Sequence, residues 1–132
     1  MQPITLMIDT GSSWLWVASD NCTDYRTDSE CNEHAFHSSL SRTINITPED
    51  HVIRYGTLQV EGKVANDRVG FGHFIVEQMP FIQVNYSIYN SLFGIIGLAP
   101  ADESSGPLFV MELFNSGQID HAQFAIQIAP NE

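Results

Sequence analysis

Apolar and polar residues alternate along most of the chain in short runs broken by turn residues, a pattern that favours strands over helices. Ile4 to Ile8 and Trp14 to Ala18 predict two strands flanking a turn that holds Asp9. Ile44 to Ile46 predicts a short strand, and Val52 to Tyr55 with Val60 to Val64 predict a hairpin whose tip is Gly56-Thr57-Leu58-Gln59. Val69 to Gly72 and His73 to Val76 continue the β pattern, and Met79 to Val84 extends it past Pro80. Ala122 to Ile128 alternates strictly, with its large apolar residues on one face, and predicts a further strand. One helix is predicted from Pro107 to about Ser116, with Pro at its first position and Gly117 as its stop. Leu108, Met111 and either Phe109 or Leu113 share a face of it. Asp102 to Gly106 reads as a short polar loop, and no internal repeat or linker divides the chain. The expected fold class is mainly β.

The turn between the first two strands carries the candidate chemistry. An acid at the end of an apolar strand is costly to bury alone. Thr10, Gly11, Ser12 and Ser13 supply backbone N–H groups and hydroxyls that can hold the Asp9 carboxylate ionised or share its proton. Gly11 permits positive φ and close backbone approach. Asp-Thr-Gly alone is ordinary turn chemistry; the longer string from Leu6 to Val17 is far more specific.

That string resembles the first active-site loop of the pepsin-like aspartic proteases, apolar-apolar-Asp-Thr-Gly-Ser-Ser-x-Leu-Trp-Val, with Trp14 in the variable place. Further matches follow in the family's order: Tyr55-Gly56-Thr57 is similar to the flap, Glu61-Gly62 with Asp67-Arg68-Val69 to the strand returning from it, and Gly94-Ile95-Ile96-Gly97-Leu98 to the stretch beneath the catalytic loop. The resemblance implies one lobe of a bilobal β-barrel fold, with residues 1–132 as an N-terminal-type lobe truncated at its start and the C-terminal lobe absent. It implies an aspartic endopeptidase acting on polypeptides, without cofactor or metal. Asp9 would be one of two carboxylates, Ser12 would hydrogen-bond its outer oxygen, and Tyr55 would cover substrate and bond Trp16 across the cleft.

Two carboxylates in contact cannot both ionise, so one activates water while its protonated partner binds the scissile carbonyl. No second Asp-Thr-Gly or Asp-Ser-Gly follows: Asp20, Asp24, Asp28, Asp50, Asp67, Asp102 and Asp120 fall in predicted loops or near strand ends. The chain thus carries half a site, to be completed by the missing C-terminal lobe. Two alternatives are a second copy of the lobe meeting Asp9 to Asp9 at a two-fold axis and a non-catalytic module that binds peptides along the flap edge. Leu58 and Gln59 in the flap, Ala65 in place of a usual Gly, and Phe93 where Asp is common depart from the family pattern. The missing strands would leave exposed β edges. Gly94 and Gly97, inside an apolar run, point to close packing.

At 132 residues with 43% hydrophobic content, the chain is one domain able to bury a core, not a disordered segment. A net charge of −11 repels phosphate backbones and excludes a nucleic-acid partner. Cys22 and Cys31, the only cysteines, lie in a polar stretch from Ser19 to Asn32, which suggests a disulfide and an oxidising compartment; the resemblance implies the same bridge. His34 and His37 lie near Cys31, but no second cysteine pair stands at zinc-ligand spacing. The five histidines read as surface residues, and the acidic run from Asp24 to Glu33 as a solvated loop. Sequons at Asn21, Asn45 and Asn85 add glycosylation to the secretory case. No stretch is long enough to span a membrane. The expected location is secreted or lysosomal, although Met1, Gln2 and Pro3 lead into the first strand without a signal peptide, which truncation reconciles.

Overall fold

The computed structural model describes residues 1–31, 35–88, 94–101 and 106–129. Among them the elements run β1 (Met7–Asp9), β2 (Leu15–Asp24), β3 (Ser29–Glu30), a 3-10 turn (Ser38–Leu40), β4 (Asn45–Tyr55), β5 (Leu58–Phe71), β6 (Phe74–Ile88), β7 (Gly94–Gly97) and α1 (Phe109–Asn115). The strands form one sheet in the order β1-β7-β2-β6-β5-β4, with β3 hydrogen-bonded to β2 beside this path. The architecture is mainly β with one short helix, that of a single pepsin-like lobe.

Chain order and spatial order differ where it matters most. The late strand β7 lies between β1 and β2, parallel to β1 and antiparallel to β2. The connection from β1 to β2, which contains Asp9's turn, must therefore pass over the end of β7. Strand β2 also runs parallel to β6.

Because side chains alternate across a strand, the sheet buries apolar residues on both faces. Leu15 and Val17 of β2 join Met79, Phe81, Ile96, Phe109 and Leu113 on one face. Trp16 and Ala18 join Val60, Ile82, Val84, Ile95 and the two cysteines on the other. Helix α1 covers the first cluster with Phe109 and Leu113, one turn apart. The hairpin of β4 and β5 covers the second, through Ile53, Tyr55 and Leu58.

Several local expectations change. The four-residue hairpin tip tightens to Gly56 and Thr57, since Tyr55 pairs with Leu58, and Gly56 takes φ 52°. The short pieces predicted around Ile44, Val69 and Met79 fuse into long strands, with Gly72 and His73 as the turn between β5 and β6. The polar stretch after Ser19 is strand as far as Asp24, because Cys22 turns inward and Cys31 returns on β3's side. The helix starts at Phe109, two residues past Pro107, because Leu108 is still extended. Gly117 does stop it, at φ 71°: Gly117 N–H bonds the Phe114 carbonyl and Gln118 N–H the Leu113 carbonyl.

Ala122 to Ile128 is not a strand. Alternation dictates which faces match, but a strand also needs a neighbour's backbone. Here no described strand pairs with it, and Phe124, Ile126 and Ile128 stay exposed. Asp67 is not in a loop either: it lies within β5, buried, and accepts hydrogen bonds from the Ser41 and Thr43 hydroxyls and the Arg68 N–H. Asp20 and Asp24 fall in β2 and Asp50 in β4. Asp24 is buried and takes the Arg26 N–H, so the acidic run is only partly a solvated loop. Asn32, Glu33, His34, Phe93 and Asp102 lie outside the described residues.

Candidate active site

Asp9 ends β1 opposite Gly97 of β7. The turn that follows closes over β7's end through three backbone bonds: Gly97 N–H to the Trp14 carbonyl at 3.0 Å, Leu98 N–H to Asp9 at 2.7 Å and Ala99 N–H to Ser12 at 2.9 Å. Only a glycine fits beneath. A Cβ on Gly97 would stand 2.5 Å from Ser13 C and 2.6 Å from Ser12 O.

Within this turn the Asp9 carboxylate accepts the Gly11 N–H at Oδ1, 2.9 Å away, and stays partly open to solvent. Gly11 does not adopt positive φ. Its use is proximity, since a Cβ there would sit 3.3 Å from that oxygen. Thr10 is exposed and lines a cavity of about 500 Å³ with Leu98, Leu108, Met111 and Phe124.

Across the site stands Tyr55, the last residue of β4. The buried Trp16 donates its indole Nε1–H to the Tyr55 hydroxyl at 3.2 Å. Burial holds the Tyr55 hydroxyl above its ordinary pKa of 10.0; Ser12 and Trp16 pull it back, and the Asp9 carboxylate pushes it up further. Tyr55 therefore lies within electrostatic reach of Asp9. Ser12 departs from expectation. Its Oγ is buried without a hydrogen bond of ordinary geometry, to Asp9 or to any other described residue, although it approaches Tyr55 closely enough to act on that phenol.

The family model described as eukaryotic aspartyl protease matches residues 1–132. The chain belongs to the eukaryotic aspartyl protease family. Among curated relatives, it is 31% identical over 117 residues to a probable aspartic-type endopeptidase CTSD of Arthroderma benhamiae, covering 85% of this chain and 22% of that protein. It is 26% identical over 139 residues to the vacuolar aspartic protease of Candida albicans, covering 99% of this chain and 32% of that protein. Pregnancy-associated glycoprotein 4 of Ovis aries is 31% identical over 137 residues, covering 99% of this chain and 35% of that protein. The chain thus spans about a fifth to a third of the length of these relatives.

In this aspartyl protease chain, Cys22 and Cys31 are joined by a disulfide with Cα atoms 5.2 Å apart. Asn21 and Asn45 are exposed. Asn85 donates its side-chain amide to Asn21 Oδ1 at 3.0 Å, which places two sequons side by side. The described residues contain no cluster of three or more His, Cys, Asp or Glu suited to a metal. No described helix is long and apolar enough to cross a membrane.

One site neighbour escaped the sequence reading. His51 is half-buried, its ring centroid 4.6 Å from that of Trp14. Its spacing four residues before Tyr55, in an alternating strand, was the available signal.

Proposed function

We propose that this chain is the N-terminal-type lobe of a two-lobed aspartic endopeptidase, with Asp9 as one catalytic carboxylate and Tyr55, Gly56 and Thr57 as the flap over a polypeptide substrate. The observation that carries the reading is the opposition of two segments: a partly open carboxylate in a backbone-pinned turn, and a hairpin tip held over that turn by the Trp16–Tyr55 bond. A second carboxylate from the partner lobe shares one proton with Asp9. The ionised member takes a proton from water as it attacks the peptide carbonyl, and the protonated member hydrogen-bonds the carbonyl oxygen.

The chain alone supplies one such carboxylate and is inactive. A second copy could take the partner's place, since β1 is an end strand whose Met7 and Ile8 are exposed, as are Phe124, Ile126 and Ile128. The cystine and the sequons favour a secreted or lysosomal setting, where acid keeps the shared proton in place.

Mixing the chain with its matching C-terminal lobe tests this. Cleavage of unfolded protein under acid conditions, blocked by a pepstatin-like transition-state mimic, is expected. A stable two-lobed assembly that binds peptides and never cuts them would replace the enzyme with a peptide-binding module.

A further inference from the structure

Burial along β4 alternates up to the flap tip: Asp50, Val52 and Arg54 are exposed, whereas His51, Ile53 and Tyr55 are half-buried. His51 and Tyr55 thus share the face turned toward the catalytic turn. Each meets a tryptophan from the other side, Tyr55 with Trp16 and His51 with Trp14. The two contacts form two rungs between the same pair of segments.

The Trp14 rung is backed. A Cβ on Gly106 would stand 2.3 Å from Trp14 Cε2, so the backbone there lies directly against the indole. The Gly106 N–H donates to Ser13 Oγ at 3.2 Å, which ties that backbone to the same turn. The indole thus contacts both the Gly106 backbone and the His51 ring.

We propose that His51 is a positioning residue of the flap: packed at a tilt against Trp14, with ring centroids 4.6 Å apart, its ring fixes β4 over the Asp9 turn, and its protonation tightens that hold in acid. A cation within about 6 Å of an indole is attracted to the ring's electron-rich face, which a neutral imidazole is not. Histidine is the side chain whose charge changes between neutral and mildly acid conditions.

Among the described residues, the ring partner of His51 is Trp14. Asp50 projects from the opposite face of β4 and is paired with Lys63 Nζ at 2.6 Å. Gly62, across from His51 on β5, has no side chain. Glu49 is exposed, and Trp14 and Gly106 carry no charge. Asp102 and Glu103 stand just before Gly106 in the sequence. The effect on catalysis rests on the endopeptidase reading; the clamp itself does not.

Intrinsic tryptophan fluorescence of the chain, followed from about pH 8 to 5.5, tests the clamp without any activity. A protonated imidazole quenches an indole it touches, so emission should fall as the pH is lowered. His51→Phe keeps a ring in place and removes the proton; it should abolish the transition, as should Trp14→Phe. In the complete two-lobed protein, KM for a peptide should fall roughly two- to fivefold between neutral and acid pH relative to His51→Phe, with kcat unchanged. Flat wild-type emission, a transition that survives in His51→Phe, or identical KM profiles would each overturn the proposal. Quenching as expected in a protein that never cleaves peptides would uphold the clamp and remove the endopeptidase reading.

Discussion

Asp9 faces Gly97 across the parallel pair of β1 and β7, and the backbone following Asp9 folds over that glycine. The carboxylate is therefore positioned by a residue 88 positions away in the chain, through the absence of a side chain. Gly97→Ala would drive a methyl into three backbone atoms at 2.5, 2.6 and 2.7 Å, none able to rotate aside. We expect it to cost about 3 kcal/mol. Gly117→Ala, with open space around it and strain only from its φ of 71°, should cost about 1 kcal/mol. Urea unfolding in which Gly97→Ala is the milder change would contradict this account of the turn.

The Tyr55 hydroxyl accepts the N–H of the fully buried Trp16. Tyr55→Phe leaves that donor unsatisfied and should destabilise by about 1–3 kcal/mol in denaturant unfolding. A pH signature accompanies it. Burial raises the Tyr55 pKa in the folded state, so the folded chain keeps the proton longer than the unfolded chain does. The resulting stability is fully present below the unfolded value near pH 10 and is lost as pH rises through the folded value. Wild-type stability should therefore fall on the alkaline side more steeply than that of Tyr55→Phe; parallel curves would refute the linkage.

The Asp9 turn and the hairpin carrying Tyr55 were legible in the sequence because each is specified locally, by turn residues set between apolar runs. Gly117 was legible as the helix stop for the same reason. The placement of β7 between β1 and β2 is a long-range pairing that periodicity cannot encode; the odd glycines at 94 and 97 hinted at it, and the resemblance of Gly94 to Leu98 to the stretch beneath the family's catalytic loop pointed to it. Asp67 was misread because the hydroxyls that satisfy it lie 24 and 26 residues away. Ala122 to Ile128 shows the converse error: a good strand pattern remains irregular when no sheet edge meets it.

The Cys22–Cys31 bridge closes a short loop, with a sequence separation of 9. Limiting that loop in the unfolded chain stabilises the fold by roughly 2.5–3 kcal/mol on the chain-entropy model. The Cys22→Ser/Cys31→Ser double variant should melt roughly 10 °C lower. Reductant should lower the wild-type melting temperature by a similar amount and leave the double variant unmoved. Equal sensitivity of both proteins to reductant would mean that the bridge is not its target.

Asp9→Asn separates the structural duty of the Asp9 turn from the catalytic one proposed for it. Asparagine keeps an Oδ1 acceptor for the Gly11 N–H, so stability should change by no more than about 0.5 kcal/mol. On the proposed mechanism, what it loses is the capacity to take a proton from water. In the complete two-lobed protein, peptide cleavage at acid pH should drop by about 10²–10⁴-fold, the usual contribution of a positioned acid–base group. The lobe alone should be silent with either residue, because the proposed mechanism needs a second carboxylate beside the first. Activity of the lobe that appears only at concentrations where it dimerises, and vanishes with Asp9→Asn, would assign the second carboxylate to another copy of the chain. Retained cleavage by Asp9→Asn in the two-lobed protein would remove Asp9 from the chemistry altogether, since a stable turn without its carboxylate would then be sufficient.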